Sequence, residues 1–171
     1  MKKYRMFIFL FVLLAIPNLC FAQGGKEAIL GVWKLISIET IGPDGQRKPS
    51  ETYGKNPAGL IIYHPTGYMS VQFMKDPRPT FASPNPGNAT PEEIRSAYLG
   101  YYAYFGTYEV NEKEGFVIHH LQASLKPFEV GIDFKRFFKI AGDRIILTTV
   151  PKMASDGSGV RTSELTFERV K

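Results

Sequence analysis

The sequence predicts an all-β fold, an antiparallel up-and-down barrel of about eight strands with one helix inserted between the third and fourth strands. Short apolar or alternating segments recur along the chain and are separated by turn signals. Only one segment carries clear helix signals, so strands do not alternate with helices as in a parallel sheet. The first and last strands carry Trp33 and Arg169, which are suited to stack where the two ends of a barrel meet.

The first 22 residues have the three parts of a secretory signal peptide. A cationic start precedes an apolar run at 6–16, and small residues stand before the expected cleavage after Ala22. We expect residues 23–171 to be one exported domain, periplasmic or secreted, with no membrane span. A membrane anchor would need about 20 apolar residues. A lipoprotein acylated at Cys20 would need a small residue where Leu19 stands.

Cleavage would change the charge and the cysteine content of the domain. It would remove three cations, no acids and Cys20, the only cysteine, so the net charge would fall from +5 to +2. Without a disulfide, stability must come from core packing and strand pairing. A weakly charged domain without basic runs gives no electrostatic case for nucleic-acid binding.

The strands are placed by their apolar or alternating patterns and by the turns between them. The first is expected at 30–41 and ends at the Gly-Pro-Asp-Gly turn at 42–45, after which a polar loop with two prolines occupies 46–58. The later strands are predicted at 59–63, 68–74, 104–111, 116–124, 131–140, 143–150 and 162–170.

A proline-rich segment at 75–89 leads into the predicted helix, since four prolines cannot lie inside a sheet. Thr90 and Glu93 form a capping box with Pro91 at the first helical position, which predicts a helix to about Tyr101. Its apolar face would consist of Ile94, Ala97, Tyr98 and Tyr101. Segment and helix are candidates for a lid over a barrel with room for side chains or one small ligand. A two-sheet sandwich is the alternative architecture.

These motifs resemble those of a known family. The Gly-Val-Trp sequence at 31–33 and Arg169 resemble the signature shared by lipocalins and fatty-acid-binding proteins. The wider series resembles the bacterial and fungal lipocalin-like domain family over about 30–171, with motifs at 31–35, 67–72, 90–94, 104–108 and 119–120. The resemblance implies a barrel with a pocket and no settled reaction.

Two adjacent histidines lie on the strand predicted at 116–124. Because neighbouring strand residues face opposite sides, only one of His119 and His120 can face the interior, and Gln122 would accompany His120. The inward histidine is either a hydrogen-bonded structural residue or a group that orients a ligand or acts as a general base. A metal site would require Glu109, Glu129 or Asp133 to converge on one histidine, which no spacing requires.

Arg136 shares a strand face with five apolar residues, so this face should be buried. These residues are Val130, Ile132, Phe134, Phe138 and Ile140. A buried cation needs a partner. The partner is either an interior carboxylate such as Glu39 or Glu109, or the acidic group of a ligand.

The remaining candidates come from the third strand and from the tyrosine-rich segment. Hydrophobicity points Met69, Val71 and Phe73 inward, whereas a binding barrel could instead expose Tyr68 and Gln72 to its interior. We therefore expect the ligand contacts to be Arg136, His119, His120, Tyr68, Gln72, Gln122 and Tyr104. Trp33 and Arg169 are expected to be structural, and no catalytic residue, metal or cofactor is expected.

These features favour an exported barrel that binds a small apolar or amphipathic molecule, including one with an acidic group. The alternatives are a cyclase or isomerase that uses the same pocket, and a barrel filled by its own side chains that serves as an interaction module. The sequence favours binding over catalysis, because no catalytic motif is present. The volume and lining of the interior distinguish the three.

Overall fold

The computed structural model describes residues 25–154, 157 and 159–171, and the predicted signal peptide lies outside them. The helices are α1 (Lys26–Ile29) and α2 (Pro91–Leu99). The strands are β1 (Gly31–Ile41), β2 (Arg47–Pro49), β3 (Ala58–Tyr63), β4 (Tyr68–Met74), β5 (Tyr101–Asn111), β6 (Phe116–Ser124), β7 (Asp133–Ala141), β8 (Arg144–Thr149), β9 (Lys152–Met153) and β10 (Val160–Arg169). Within these residues no helix is long and apolar enough to cross a bilayer.

Eight of the strands close into an antiparallel barrel, which confirms the predicted fold. Neighbouring strands pair in the order β1-β3-β4-β5-β6-β7-β8-β10, and β10 pairs back with β1. The short strands β2 and β9 attach to β1 and β10 at the rim. Because the sheet has closed, its inward faces share one core, which includes Trp33, Ile61, Val71, Leu147 and Phe167.

Trp33 and Arg169 seal one end of the barrel. They are register partners on β1 and β10, and the guanidinium carbon lies 4.0 Å from the centroid of the indole ring. The Arg169 guanidinium also donates to the carbonyls of Leu30 and Ala28 at 2.6 and 2.7 Å. The Trp33 Nε1–H donates to the Ile29 carbonyl at 2.8 Å. The two side chains therefore hold the segment from α1 to β1 across this end.

Two bulges change which residues of a strand face inward. On β1 the register shifts between Leu35 and Ser37, so the inward positions change from Leu35 to Ile38 and Ile36 becomes half-exposed. Between β5 and β6 a second shift leaves Gln122 without an opposite residue. Strict alternation along these strands therefore fails at both bulges.

The second bulge depends on Gly106. This residue pairs with Leu121, and a Cβ at position 106 would lie 1.9 Å from the carbonyl oxygen of His120. No side chain fits at that distance, so only glycine allows the two backbones to approach here.

Helix α2 forms with the predicted capping box and is inserted between the third and fourth strands of the barrel. The Thr90 hydroxyl accepts from the Glu93 amide at 3.2 Å, and a Glu93 carboxylate oxygen accepts from the Thr90 amide at 2.8 Å. Of the four residues predicted to form its apolar face, Ile94 and Tyr98 are exposed, and Tyr101 belongs to β5 and not to the helix.

The expectation that Val130 and Ile132 are buried is wrong. Val130 and Ile132 are half-exposed, because β7 begins only at Asp133 and both residues lie in the irregular segment that follows a short 3-10 turn. From Phe134 onward the predicted alternation holds, with Phe138 and Ile140 buried in the core.

Candidate functional site

The barrel contains a cavity of about 640 Å³. It extends from the middle of the barrel to the end opposite Trp33. Its apolar wall is made by Ile38, Ile61, Val71, Phe73, Leu147, Leu165 and Phe167. An open interior of this size argues against the hypothesis of a barrel filled by its own side chains.

The cavity opening is bordered by the connection between β1 and β3, which contains β2. Residues 42–43, 46 and 48–53 of this connection line the cavity, and no residue of the segment 75–99 does. The Arg47 guanidinium ties the connection to the rim through Glu39 and Glu164 on β1 and β10. The expected lid is therefore not α2, and the polar loop takes the position over the opening.

A buried histidine lies between two tyrosines on the cavity wall. His119 on β6 is 1 % exposed. Its Nε2 lies 2.8 Å from the Tyr63 hydroxyl and its Nδ1 lies 2.9 Å from the Tyr104 hydroxyl. Burial, reinforced by the charge of Arg136, lowers the pKa of His119 well below its ordinary value, so the ring is neutral near pH 7.

The hydrogen bonds of His119 show whether it suits the role of a general base or of a metal ligand. A general base needs a ring nitrogen that faces the substrate, and a metal ligand needs a free lone pair. Both nitrogens of His119 are instead engaged by phenol hydroxyls. Among the described residues no group of three or more His, Cys, Asp or Glu side chains could hold a metal ion.

Arg136 lies next to this group on β7. Its guanidinium carbon is 4.8 Å from the centroid of the Phe134 ring, and its Nη1 donates to the Lys135 carbonyl at 3.0 Å. Its charge also acts on Tyr104, which opposes the effect of burial, and burial still raises the pKa of that phenol to about 12. No carboxylate of the described residues forms a salt bridge with Arg136, so neither Glu39 nor Glu109 is the partner that the sequence suggested.

A carboxylate lies on the same cavity at its opening. Glu129, 8 % exposed, accepts from the Tyr102 hydroxyl at 2.6 Å and from the Ser124 hydroxyl at 2.7 Å. The Lys126 ammonium lies 3.6 Å from its other oxygen. The sequence suggested Glu129 only as a metal ligand and gave no sign of this cluster, because Glu129 lies in a turn and no periodicity marks it as buried.

Of the seven predicted ligand contacts, the structure brings His119, Tyr104 and Arg136 to the cavity. The other four face outward. The Nδ1 of His120 lies 2.7 Å from a carboxylate oxygen of Asp133 on the outer surface. His120 faces outward because its neighbour His119 takes the inward position. Gln122 is exposed at the bulge, so it does not share the interior with any histidine.

Tyr68 and Gln72 also lie outside the barrel, which corrects their assignment as ligand contacts. Both side chains are exposed, and Tyr68 has 52 % of its surface accessible. The cause is the alternation of β4, which buries Met69, Val71 and Phe73. The simpler interpretation from hydrophobicity was therefore the right one for this strand.

Comparison with known proteins supports the same architecture. Residues 30–170 match the family model described as a lipocalin-like domain. No curated protein matches the chain. The match spans nearly all of the barrel, from the residue before β1 to the residue after β10. The chain therefore belongs to the lipocalin-like domain family.

Proposed function

We propose that the barrel binds one small amphipathic molecule, whose apolar body fills the interior and whose acidic group faces Arg136. The volume of about 640 Å³ suits such a molecule, since pockets for small ligands span about 300–1,000 Å³. The wall combines aliphatic and aromatic side chains with a few polar groups, as is typical of sites that fix the orientation of an apolar ligand.

The observation that carries the proposal is the guanidinium of Arg136 on the cavity wall without a carboxylate partner among the described residues. Its protein partners are a carbonyl and the face of an aromatic ring, and neither carries a negative charge. A partly desolvated cation is stabilised by an anion, and a guanidinium suits a carboxylate through paired hydrogen bonds.

The other charged residues that line the cavity also favour an acidic ligand. Among the described lining residues, the cations outnumber the carboxylates. Apart from Arg161, which has an interaction of its own, the cations are Lys48, Lys126, Arg136 and Lys152, and the carboxylates are Glu51 and Glu129. This excess favours the approach of an anion to the opening.

The proposal predicts that Arg136 selects acids over neutral analogues. The probe is dansylaminoundecanoic acid, compared with its methyl ester by fluorescence titration. Arg136→Met should weaken binding of the acid by about tenfold to hundredfold, the usual effect of losing a charge-assisted hydrogen bond. Binding of the ester should change by less than about twofold.

Lys139→Met is the matched control, because Lys139 is an exposed cation on the outer face of the same strand. It should leave both affinities unchanged. Equal affinity of the wild-type protein for acid and ester, or an equal loss for both in Arg136→Met, would contradict the proposal.

We also propose that the protein acts after export, in the periplasm or outside the cell. The support is the sequence at 1–22, with its cationic start, apolar run and small residues before the cleavage point. Intact mass of the protein recovered from cell fractions should correspond to a chain that begins at Gln23. A cytoplasmic protein that retains residues 1–22 would contradict this.

One observation favours the isomerase or cyclase as a second candidate function. The carboxylate of Glu129 lies on the same cavity as the donors Tyr104 and Arg136, so a base and an oxygen-binding group could face one substrate. Binding alone predicts that a molecule retained by the purified protein keeps its NMR spectrum during incubation. Isomerisation would change that spectrum at constant mass, and Glu129→Gln would abolish the change.

A further inference from the structure

We propose that Tyr63, which does not line the cavity, acts through His119 to make Tyr104 a hydrogen-bond donor toward the ligand. The group bound at this wall is then an acceptor oxygen, such as that of a carboxylate or a carbonyl. The inference rests on the proposed function and deepens it, because it names a second selecting group and a residue that positions it.

The chain of contacts begins at the hydroxyl of Tyr63 on β3. This side chain is 1 % exposed, is not among the residues that line the cavity, and packs against the ring of Tyr108 at 4.9 Å between centroids. The only partner of its hydroxyl among the described residues is the Nε2 of His119 at 2.8 Å. A buried O–H group with one partner must donate to it or remain unsatisfied.

The direction of donation at Nε2 of His119 fixes the direction of donation at its Nδ1. A neutral imidazole has one N–H donor and one acceptor nitrogen. If Tyr63 donates to Nε2, then Nε2 is the acceptor and Nδ1 carries the proton. The Nδ1–H must then donate to the Tyr104 hydroxyl oxygen, which lies 2.9 Å away.

The hydroxyl oxygen of Tyr104 therefore acts as an acceptor inside the wall. It accepts from His119, and the nearby charge of Arg136 acts on it from a guanidinium that has donors only. Its own proton has no acceptor left among these two neighbours, and Tyr104 lines the cavity. The O–H thus donates into the cavity.

The opposite direction would leave a buried group unsatisfied. With Nε2 protonated, that nitrogen would donate to the Tyr63 oxygen, and the Tyr63 O–H would have no acceptor among the described residues. Tyr104 would then donate to Nδ1 and offer only its oxygen. The asymmetry between the two tyrosines, one enclosed and one on the cavity, selects the first arrangement.

The first test needs no ligand. Long-range proton–nitrogen correlation NMR on the wild-type protein should show the Nδ1–H tautomer of His119, with an unprotonated Nε2. An Nε2–H tautomer would overturn the inference. In Tyr63→Phe the constraint is gone, so Nε2–H should become populated, and a tautomer unchanged in that variant would also overturn it.

The second test measures selection of the ligand with the same dansylamino acid and its methyl ester. Tyr63→Phe frees Tyr104 to donate to His119, so both probes should bind about threefold to tenfold more weakly, because both offer an acceptor oxygen. Arg136→Met should affect the acid alone. Tyr108→Phe is the control, since its hydroxyl bonds the His64 carbonyl at 3.0 Å, away from the lining.

The two ideas fail in different ways. If the wild-type protein binds neither probe, the proposed function fails, while the tautomer of His119 still tests the direction of the contacts. If the acid binds through Arg136 but Tyr63→Phe binds both probes like the wild-type protein, the proposed function stands and the inference about Tyr63 is overturned.

Discussion

At the scale of single residues, the interior polar groups owe their state to their neighbours. His119 is buried between two phenols and close to the charge of Arg136, so protonation would place a second cation in the same wall. Strand alternation indicated that Arg136 and one of His119 and His120 face inward, but it did not decide which histidine does. It could not identify Tyr63 or Glu129, because their positions depend on which strand or turn lies opposite.

The low pKa of His119 predicts that stability falls in mild acid. The unfolded chain binds a proton at His119 below its ordinary value of 6.5, while the folded protein does not until its lowered pKa is reached. In that window the unfolded state holds more protons, so the free energy of unfolding drops by up to about 1.4 kcal/mol per pH unit. Above pH 6.5 this contribution is constant.

Urea unfolding at a series of pH values measures this slope. His119→Gln should remove the part of the slope that begins below 6.5, whereas His120→Gln, on the outer surface beside Asp133, should retain it. A slope that is unchanged in His119→Gln would mean that the histidine is not held neutral by the fold.

At the scale of elements, the turns and capping signals were sufficient to place most strands and α2, but not their exposure. Helix α2 begins at its capping box as predicted, yet no side chain of the helix is buried. An amphipathic pattern states which residues share a face and does not say whether that face meets the barrel. The bulge at Gln122 could not be predicted either, because an extra residue in one strand is recognised only when the pairing with the neighbouring strand is known.

Gly106 provides a prediction at this scale. A methyl group at that position would overlap the His120 carbonyl, so Gly106→Ala must separate β5 from β6 or distort the bulge. We expect a loss of about 2–4 kcal/mol in the free energy of unfolding. Gly87→Ala, in an exposed 3-10 turn where the added carbon meets only the side chain of Asn85, should cost far less.

Urea titration of both variants provides the comparison. The bulge lies on β6, the strand that also carries His119 and Ser124. Gly106→Ala should therefore also weaken binding of the acid probe. A Gly106→Ala protein as stable as Gly87→Ala would show that the two strands are not as close as the structure places them.

At the scale of the whole molecule, closure of the sheet creates both the core and the cavity. The first and last strands meet in register, and the pair of Trp33 and Arg169 fixes the segment from Ala28 to Leu30 across one end. Closure could be predicted because both residues are chemically distinctive and lie near the two ends of the domain. The volume of the cavity could not, because it depends on how far the opposite walls stand apart.

Arg169 tests closure directly. Arg169→Met removes the stacking and two charge-assisted hydrogen bonds, and should lower the free energy of unfolding by about 3 kcal/mol. Arg169→Lys should not restore it, because an ammonium lacks the planar fork that reaches two carbonyls while stacking. Arg144→Met, at an exposed cation on β8, is the control and should change stability by less than about 0.5 kcal/mol.

We propose that the closed barrel holds an acidic amphiphile with its acidic group on the wall formed by Arg136 and Tyr104. The most direct measurement is a crystal structure of the wild-type protein with dansylaminoundecanoic acid. We predict one molecule in the cavity, with its carboxylate within about 3.2 Å of both the Arg136 guanidinium and the Tyr104 hydroxyl. A carboxylate held only by the lysines at the opening, or a probe bound outside the barrel, would contradict it.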